Sequence, residues 1–114
     1  MSELNFYEDA KKVYTLSSDD LLENLAKSIG GSSLIGKSRE QLIQRAKKWI
    51  NDKIPEIQQA ICYDDNLKKS VLGEEIMFIA LLADVIYAKL GVNSPATIAA
   101  LLVRIGFIKI CKNC

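Results

Sequence analysis

The sequence predicts an all-α fold: a compact bundle of five to six short helices that forms a single domain over residues 1–114. Apolar residues recur at intervals of three and four along most of the chain, which is the spacing of one helix face. Serine and proline stand where helices would begin, and glycine stands where they would end. The most apolar stretch, about 74–106, predicts a central helical hairpin, followed by a short extended C-terminal tail.

Two amphipathic helices are predicted in the first part of the chain. Residues 4–15 carry apolar side chains at helical spacing and form the first helix. Ser17 or Ser18 caps the second helix, and the two aspartates that follow lie at its positive end. Gly30 ends this helix, as a left-handed C-cap residue would.

The third helix has a complete start signal. Ser38 stands three residues before Gln41, which is the spacing of a capping box. Pro55 is expected to break this helix or to begin a new one at its first position. A short fourth helix then runs to about Cys62, and residues 63–69 form a loop or a turn of helix.

The apolar hairpin consists of two helices joined by a short turn. Residues 74–90 are the most apolar stretch and end at a glycine. Ser94 caps the second helix and Pro95 takes its first position, while Gly106 ends it. The tail after this glycine alternates apolar and polar residues, which is typical of an extended segment.

Asp84 lies within the hairpin on a face of small residues, with Ala80, Ala88 and Gly91 at helical spacing. An unpaired carboxylate buried there would be costly. In an antiparallel hairpin, the positions of Asp84 and Arg104 along the helix axis differ by only ~4.5 Å. We therefore hypothesise a structural Asp84–Arg104 ion pair that fixes the hairpin register. A catalytic role for Asp84 is disfavoured because no second acid or histidine stands beside it.

Gly31–Ser38 reads G-x-x-x-x-G-K-S, the pattern of a phosphate-binding P-loop. A working P-loop needs a buried strand before its glycines, but the preceding residues have helical periodicity. The pattern is better explained by glycines that end the second helix and a serine that caps the third. Nucleotide binding is kept as the third hypothesis, together with a weak anion site formed by Lys37, Ser38 and Arg39.

Charge is distributed in blocks. Residues 37–53 hold six bases against two acids, whereas residues 54–75 hold five acids against two bases. The basic block predicts an interaction surface that would meet the acidic residues 1–23 or 56–75 of another copy. This surface comprises Lys37, Arg39, Arg45, Lys47, Lys48 and Trp49.

Several functional classes are disfavoured by composition. A net charge of +1 lacks the basic excess of nucleic-acid-binding domains, so no nucleic-acid partner is expected. The chain contains no histidine, which removes the commonest general base and zinc ligand. We expect a non-enzymatic protein with no cofactor.

The three cysteines are Cys62, Cys111 and Cys114. Cys62 is expected to be buried, and the C-terminal C-x-x-C is expected to be incidental. A metal site shared between two chains through Cys111 and Cys114, or a reversible disulfide, is the alternative. The polar, acidic N-terminus does not resemble a signal peptide, so a cytoplasmic location is expected.

The leading functional hypothesis is an adaptor module that binds a protein partner or itself through charged helix faces. Its helix number is similar to that of death-fold adaptor domains and of small helical modules in bacterial immune signalling, which implies a role in defence or signalling. The alternative is a membrane-active protein that inserts the hairpin 76–108, as some toxins do. The charged residues within the hairpin make membrane contact the less favoured hypothesis.

Overall fold

The computed structural model describes residues 6–30, 36, 38–70 and 73–112, and no strand occurs among them. The all-α prediction is confirmed. The described residues form seven helices: α1 (Tyr7–Tyr14), α2 (Ser18–Gly30), α3 (Arg39–Ile61), α4 (Asp65–Ser70), α5 (Glu75–Leu90), α6 (Pro95–Ile105) and α7 (Phe107–Ile110).

The starts of α2 and α3 follow their sequence signals. Ser17, rather than Ser18, caps α2: its hydroxyl accepts a hydrogen bond from the Asp20 amide at 3.1 Å. Ser38 and Gln41 form the predicted capping box at the start of α3. Ser38 Oγ accepts from the Gln41 amide at 3.2 Å, and Gln41 Oε1 accepts from the Ser38 amide at 2.9 Å.

Helix α3 continues through Pro55 to Ile61, so the predicted break at this proline is wrong. Proline removes one helical hydrogen bond, the bond to the carbonyl of Asn51. Both Pro55 and Asn51 are exposed, so water can solvate the carbonyl. On the opposite face, Ile57 and Ile61 are fully buried and hold the helix against the core.

The central hairpin is confirmed as α5 followed by α6, which pack against each other. Gly91 ends α5 in the left-handed conformation, with φ 63°, and its amide donates to the Tyr87 carbonyl. Helix α6 also contacts α1, α2 and α7. Its residues Pro95–Leu102 are all buried, so α6 is the central helix of the bundle.

The C-terminal tail is helical, not extended as predicted. After Gly106, whose φ is 113°, residues Phe107–Ile110 form α7. Phe107 and Ile110 are buried, whereas Ile108 is 68% exposed. Buried side chains therefore recur at the third residue, as in a helix, and not at the second, as in a strand. Phe107 holds this turn against the core by packing edge-on against Phe78, with ring centroids 5.4 Å apart.

A disulfide joins Cys62, at the end of α3, to Cys111, at the end of α7. The prediction that Cys62 is buried is confirmed, but the prediction of an incidental C-terminal cysteine pair is wrong for Cys111. Gln58 Nε2 also donates to the Ile110 carbonyl at 2.9 Å. The packing of α7 thus places Cys111 beside α3, which sequence spacing alone did not indicate.

Replacing both Cys62 and Cys111 by alanine should lower the free energy of unfolding by about 2–4 kcal/mol, because the bond closes a loop of 49 residues. Urea denaturation followed by circular dichroism measures the loss. Wild-type protein in reducing agent should lose a similar amount. The matched control is Cys114→Ala, which should retain wild-type stability without reductant. An equal loss in that control would contradict the observed pairing.

Candidate functional site

The predicted anion site is not assembled by the residues that the structure describes. The Arg39 guanidinium is held by two acids of α2: Nη2 lies 2.6 Å from Asp20 Oδ1, and Nε lies 3.0 Å from Glu23 Oε1. The Ser38 hydroxyl accepts the α3 capping bond. Lys37 lies outside the described residues. The Arg39 ion pairs connect α2 to α3, so this arginine has a structural contact within the chain.

The P-loop pattern also lacks its structural context. Helix α2, and not a strand, leads into the glycines. Of the loop itself, residues 31–35 and Lys37 lie outside the described residues, while Gly36 has φ 83°. The structure therefore gives the nucleotide hypothesis no support.

The remaining bases of the predicted surface point to different sides of α3. Lys48 pairs with Asp52 at 3.1 Å on the solvent-exposed face. Arg45 lies beside this pair and helps to line a shallow hollow of about 280 Å³ with the half-buried Trp49. Because this hollow also contains a carboxylate, its charge is mixed. Lys47 lies apart from these residues and lines a different cavity.

That cavity is the α2–α3–α6 groove, which has a volume of about 370 Å³. Its apolar lining is formed by Leu22, Ile50, Leu101 and Ile105, and its polar lining by Ser18, Lys47, Asn51 and Arg104. Three of the apolar side chains belong to the core, but Ile105 is 44% exposed. The groove therefore combines an apolar base with an exposed isoleucine at its edge.

The charge of the groove is positive. Neither Lys47 nor Arg104 forms a salt bridge with any residue in the described ranges. Arg104 instead donates to the Tyr14 carbonyl at 3.3 Å and to Ser18 Oγ at 3.4 Å. No carboxylate is among the described lining residues. The groove is thus complementary to an acidic segment that carries a bulky apolar or aromatic side chain.

The hypothesised Asp84–Arg104 ion pair is not formed. Arg104 lies on the side of α6 that faces α1 and α2, as its contacts with Tyr14 and Ser18 show. Asp84 is only half-buried on α5, so its carboxylate remains partly solvated. The axial register alone placed the two residues near each other, whereas the rotation of each helix about its axis separates them.

The Glu75 carboxylate, at the start of α5, influences Tyr14, at the end of α1. A hydrogen bond to the Glu75 carboxylate, followed by its negative charge, raises the pKa of the Tyr14 hydroxyl above 10.0. Arg104 opposes this effect by favouring the phenolate. No sequence signal indicated this influence, because the residues are far apart along the chain.

No known protein family matches the sequence, and no curated protein or solved structure gives a significant match.

The stability effects of Asp84→Asn and Arg104→Gln should be additive, because the two side chains are not joined. Each single change should cost less than about 1 kcal/mol, as is usual for exposed or half-exposed polar groups. Thermal unfolding of both single variants and the double variant measures the coupling. A coupling energy well above ~0.5 kcal/mol would contradict the observed geometry.

Tyr14 should ionise at a pH above 10, because the Glu75 carboxylate disfavours the phenolate. Its folded-state pKa exceeds the unfolded value, so the contact stabilises the fold below pH 10 and the contribution is lost as the pH rises through the folded pKa. Near-ultraviolet absorbance titration should show a high-pH tyrosinate step that Tyr14→Phe removes. Glu75→Gln should lower the pH of this step; an unchanged step would contradict the contact.

Proposed function

We propose that this protein is a non-enzymatic helical interaction module that associates with other copies of itself through the α2–α3–α6 groove. The observation that carries this proposal is the pairing of an apolar groove with two cations, Lys47 and Arg104, that have no carboxylate partner among the described residues. Such a surface favours an occupant that supplies both an apolar anchor and negative charge.

The segment Tyr63–Asp65 of a second copy fits this requirement. Tyr63 follows the end of α3 and is 59% exposed, and two aspartates come directly after it. Asp65 is exposed at the start of α4. Asp64 caps this helix by accepting from the Leu67 amide at 3.0 Å, which leaves Asp65 as the carboxylate better placed for a partner. Tyrosine is among the residues that most often anchor protein interfaces.

A copy does not place this segment in its own groove. Ile50 lines the groove, and α3 continues from there to Ile61 before the segment begins. At 1.5 Å per residue, these positions lie ~16 Å apart along the helix. Association therefore joins different surfaces of successive copies, which generates a ring or an open chain of molecules. Such an assembly suits an adaptor in defence or signalling, and a protein partner with the same acidic, aromatic motif would occupy the same groove.

The membrane-active alternative requires the hairpin to leave the bundle. Its helices α5 and α6 supply much of the buried core, so their release would expose that core to water. Within the described ranges, no helix is both long and apolar enough to cross a membrane. The adaptor proposal requires no such rearrangement.

The cytoplasmic location remains a prediction. The Cys62–Cys111 disulfide favours an oxidising compartment instead, because cytosolic thiols are usually kept reduced. Cys111 is also not a free thiolate for a shared metal site while this bond is intact.

Charge reversal provides a direct test of self-association. Lys47→Glu should weaken association by about 3–10-fold, because its charge is reversed. Tyr63→Ala should weaken association by roughly 30-fold, because an aromatic anchor is lost. Combining Lys47→Glu with Asp65→Lys in one chain should restore association, since each reversed groove then meets a reversed segment. Sedimentation-velocity ultracentrifugation at low and high salt measures the assembly.

The matched control is Lys48→Glu, which reverses the neighbouring exposed base outside the groove. It should leave association within about twofold of wild type. Wild-type protein that stays monomeric at low salt and high concentration would overturn the homotypic proposal. Failure of the double reversal to recover association would show that the segment containing Asp65 is not the occupant.

A further inference from the structure

Helix α7 depends on bonds at its end to hold its place in the bundle. It has four residues, and a helix of this length is not stable without packing. It packs chiefly against α6, and Phe107 and Ile110 are its buried side chains. The residues between them, Ile108 and Lys109, are exposed. Packing of its own side chains therefore secures α7 only weakly.

Two bonds fasten the end of α7 to the end of α3. The first is the Cys62–Cys111 disulfide, and the second is the hydrogen bond from Gln58 Nε2 to the Ile110 carbonyl at 2.9 Å. At the other end of α7, Gly106 separates it from α6 with φ 113°, a conformation that glycine adopts readily. Helix α7 is therefore held at Cys111 and has a glycine hinge at its start.

The two sulfurs of the disulfide differ in their access to solvent. Cys62 is 1% exposed, whereas Cys111 is only half-buried. Because thiol exchange depends on which sulfur a thiolate can reach, attack occurs at Cys111 Sγ. The buried Cys62 is then the leaving group, and burial disfavours its thiolate. A dithiol overcomes this disadvantage, because its second thiol completes the reduction within the same complex.

We propose that the Cys62–Cys111 bond is a redox switch that a dithiol opens, and that α7 then pivots away from α3 about Gly106. In the first step, a thiolate of the dithiol attacks Cys111 Sγ and forms a mixed disulfide. The bond to Cys62 breaks, and the Cys62 sulfur leaves with the electron pair and takes up a proton. The second thiol of the dithiol then closes a cyclic disulfide and releases Cys111 as a thiol, so the dithiol is oxidised and the protein is reduced.

Opening the switch changes the surface of the bundle and leaves its core in place. Phe107 packs against Phe78, and both line a cavity of about 190 Å³ together with Val103. Displacement of Phe107 widens this cavity into an apolar surface on α5 and α6. The contacts of α6 with α1, α2 and α5 do not involve α7, so the rest of the bundle stays folded.

The switch does not depend on the proposed self-association. Neither cysteine of the bond lines the α2–α3–α6 groove, and no residue of α7 is among the described lining residues. Lys47→Glu should therefore show the same response to a dithiol as wild type. A protein that proves to be monomeric would leave this inference intact.

The test compares ¹⁵N-labelled wild-type protein before and after reduction with dithiothreitol. Backbone order parameters for Ile108–Cys111 should fall from about 0.85 to below about 0.6, while those of α6 stay near about 0.85. This measurement reports mobility in the folded protein, so it separates release of α7 from a general loss of stability. Rigid α7 residues in the fully reduced protein would overturn the proposal.

The reactivity of Cys62 provides a second measurement. In the reduced protein, iodoacetamide should alkylate Cys62 within about tenfold of its rate in urea, because α7 no longer shields it. A rate about 100-fold slower than in urea would show that α7 stays docked, and would overturn the proposal. With glutathione and an acid quench, peptide mapping should find the mixed disulfide on Cys111. Glutathione found mainly on Cys62 would overturn the assigned site of attack.

Three variants serve as controls. Cys114→Ala should keep the full redox response, which assigns the response to Cys62 and Cys111. The double variant Cys62→Ala, Cys111→Ala should have a mobile α7 with or without dithiothreitol, with its helical content checked by circular dichroism. Gln58→Ala should leave α7 rigid in the oxidised protein, because the disulfide still holds it. A mobile α7 in oxidised Gln58→Ala would show that the hydrogen bond is the main fastening, and would contradict the switch.

Discussion

The burial of α6 is the constraint on which the rest of the fold depends. Residues Pro95–Leu102 are all shielded from solvent, so this helix needs neighbours on every side. Helices α1, α2, α5 and α7 provide that cover. The disulfide and the Gln58 hydrogen bond tie the last of these helices to the end of α3. A chain of this size has one core, and the central apolar helix organises it.

The two ends of the same helix line two separate cavities. A helix buried along its length can present polar backbone or side chains only at its ends. The N-terminal end of α6 lines a cavity of about 590 Å³ together with α1, and its C-terminal end supplies Arg104 and Ile105 to the α2–α3–α6 groove. Both cavities therefore lie where the central helix reaches the surface.

Local signals in the sequence predicted the helix starts and the hairpin well. The Ser38–Gln41 capping box and the left-handed Gly91 depend on a few adjacent residues, so their outcome is largely decided by local chemistry. Pro55 and the tail were misjudged because burial overrode local preference: isoleucines anchor α3 past the proline, and Phe107 anchors α7. The Cys62–Cys111 bond depends on that tertiary packing, which spacing along the chain does not encode.

The candidate groove also could not be predicted from the sequence alone. The sequence identified a basic block, but block composition does not reveal which bases meet acids in the fold. Arg39 faces α2 and is held by two carboxylates, whereas Lys47 faces the groove beside Arg104, a base that lies outside the block 37–53. Charge that is neutralised within the chain contributes little to partner choice, while charge beside an apolar cavity contributes more. The groove therefore combines residues of α3 and α6, so the basic block alone does not locate it.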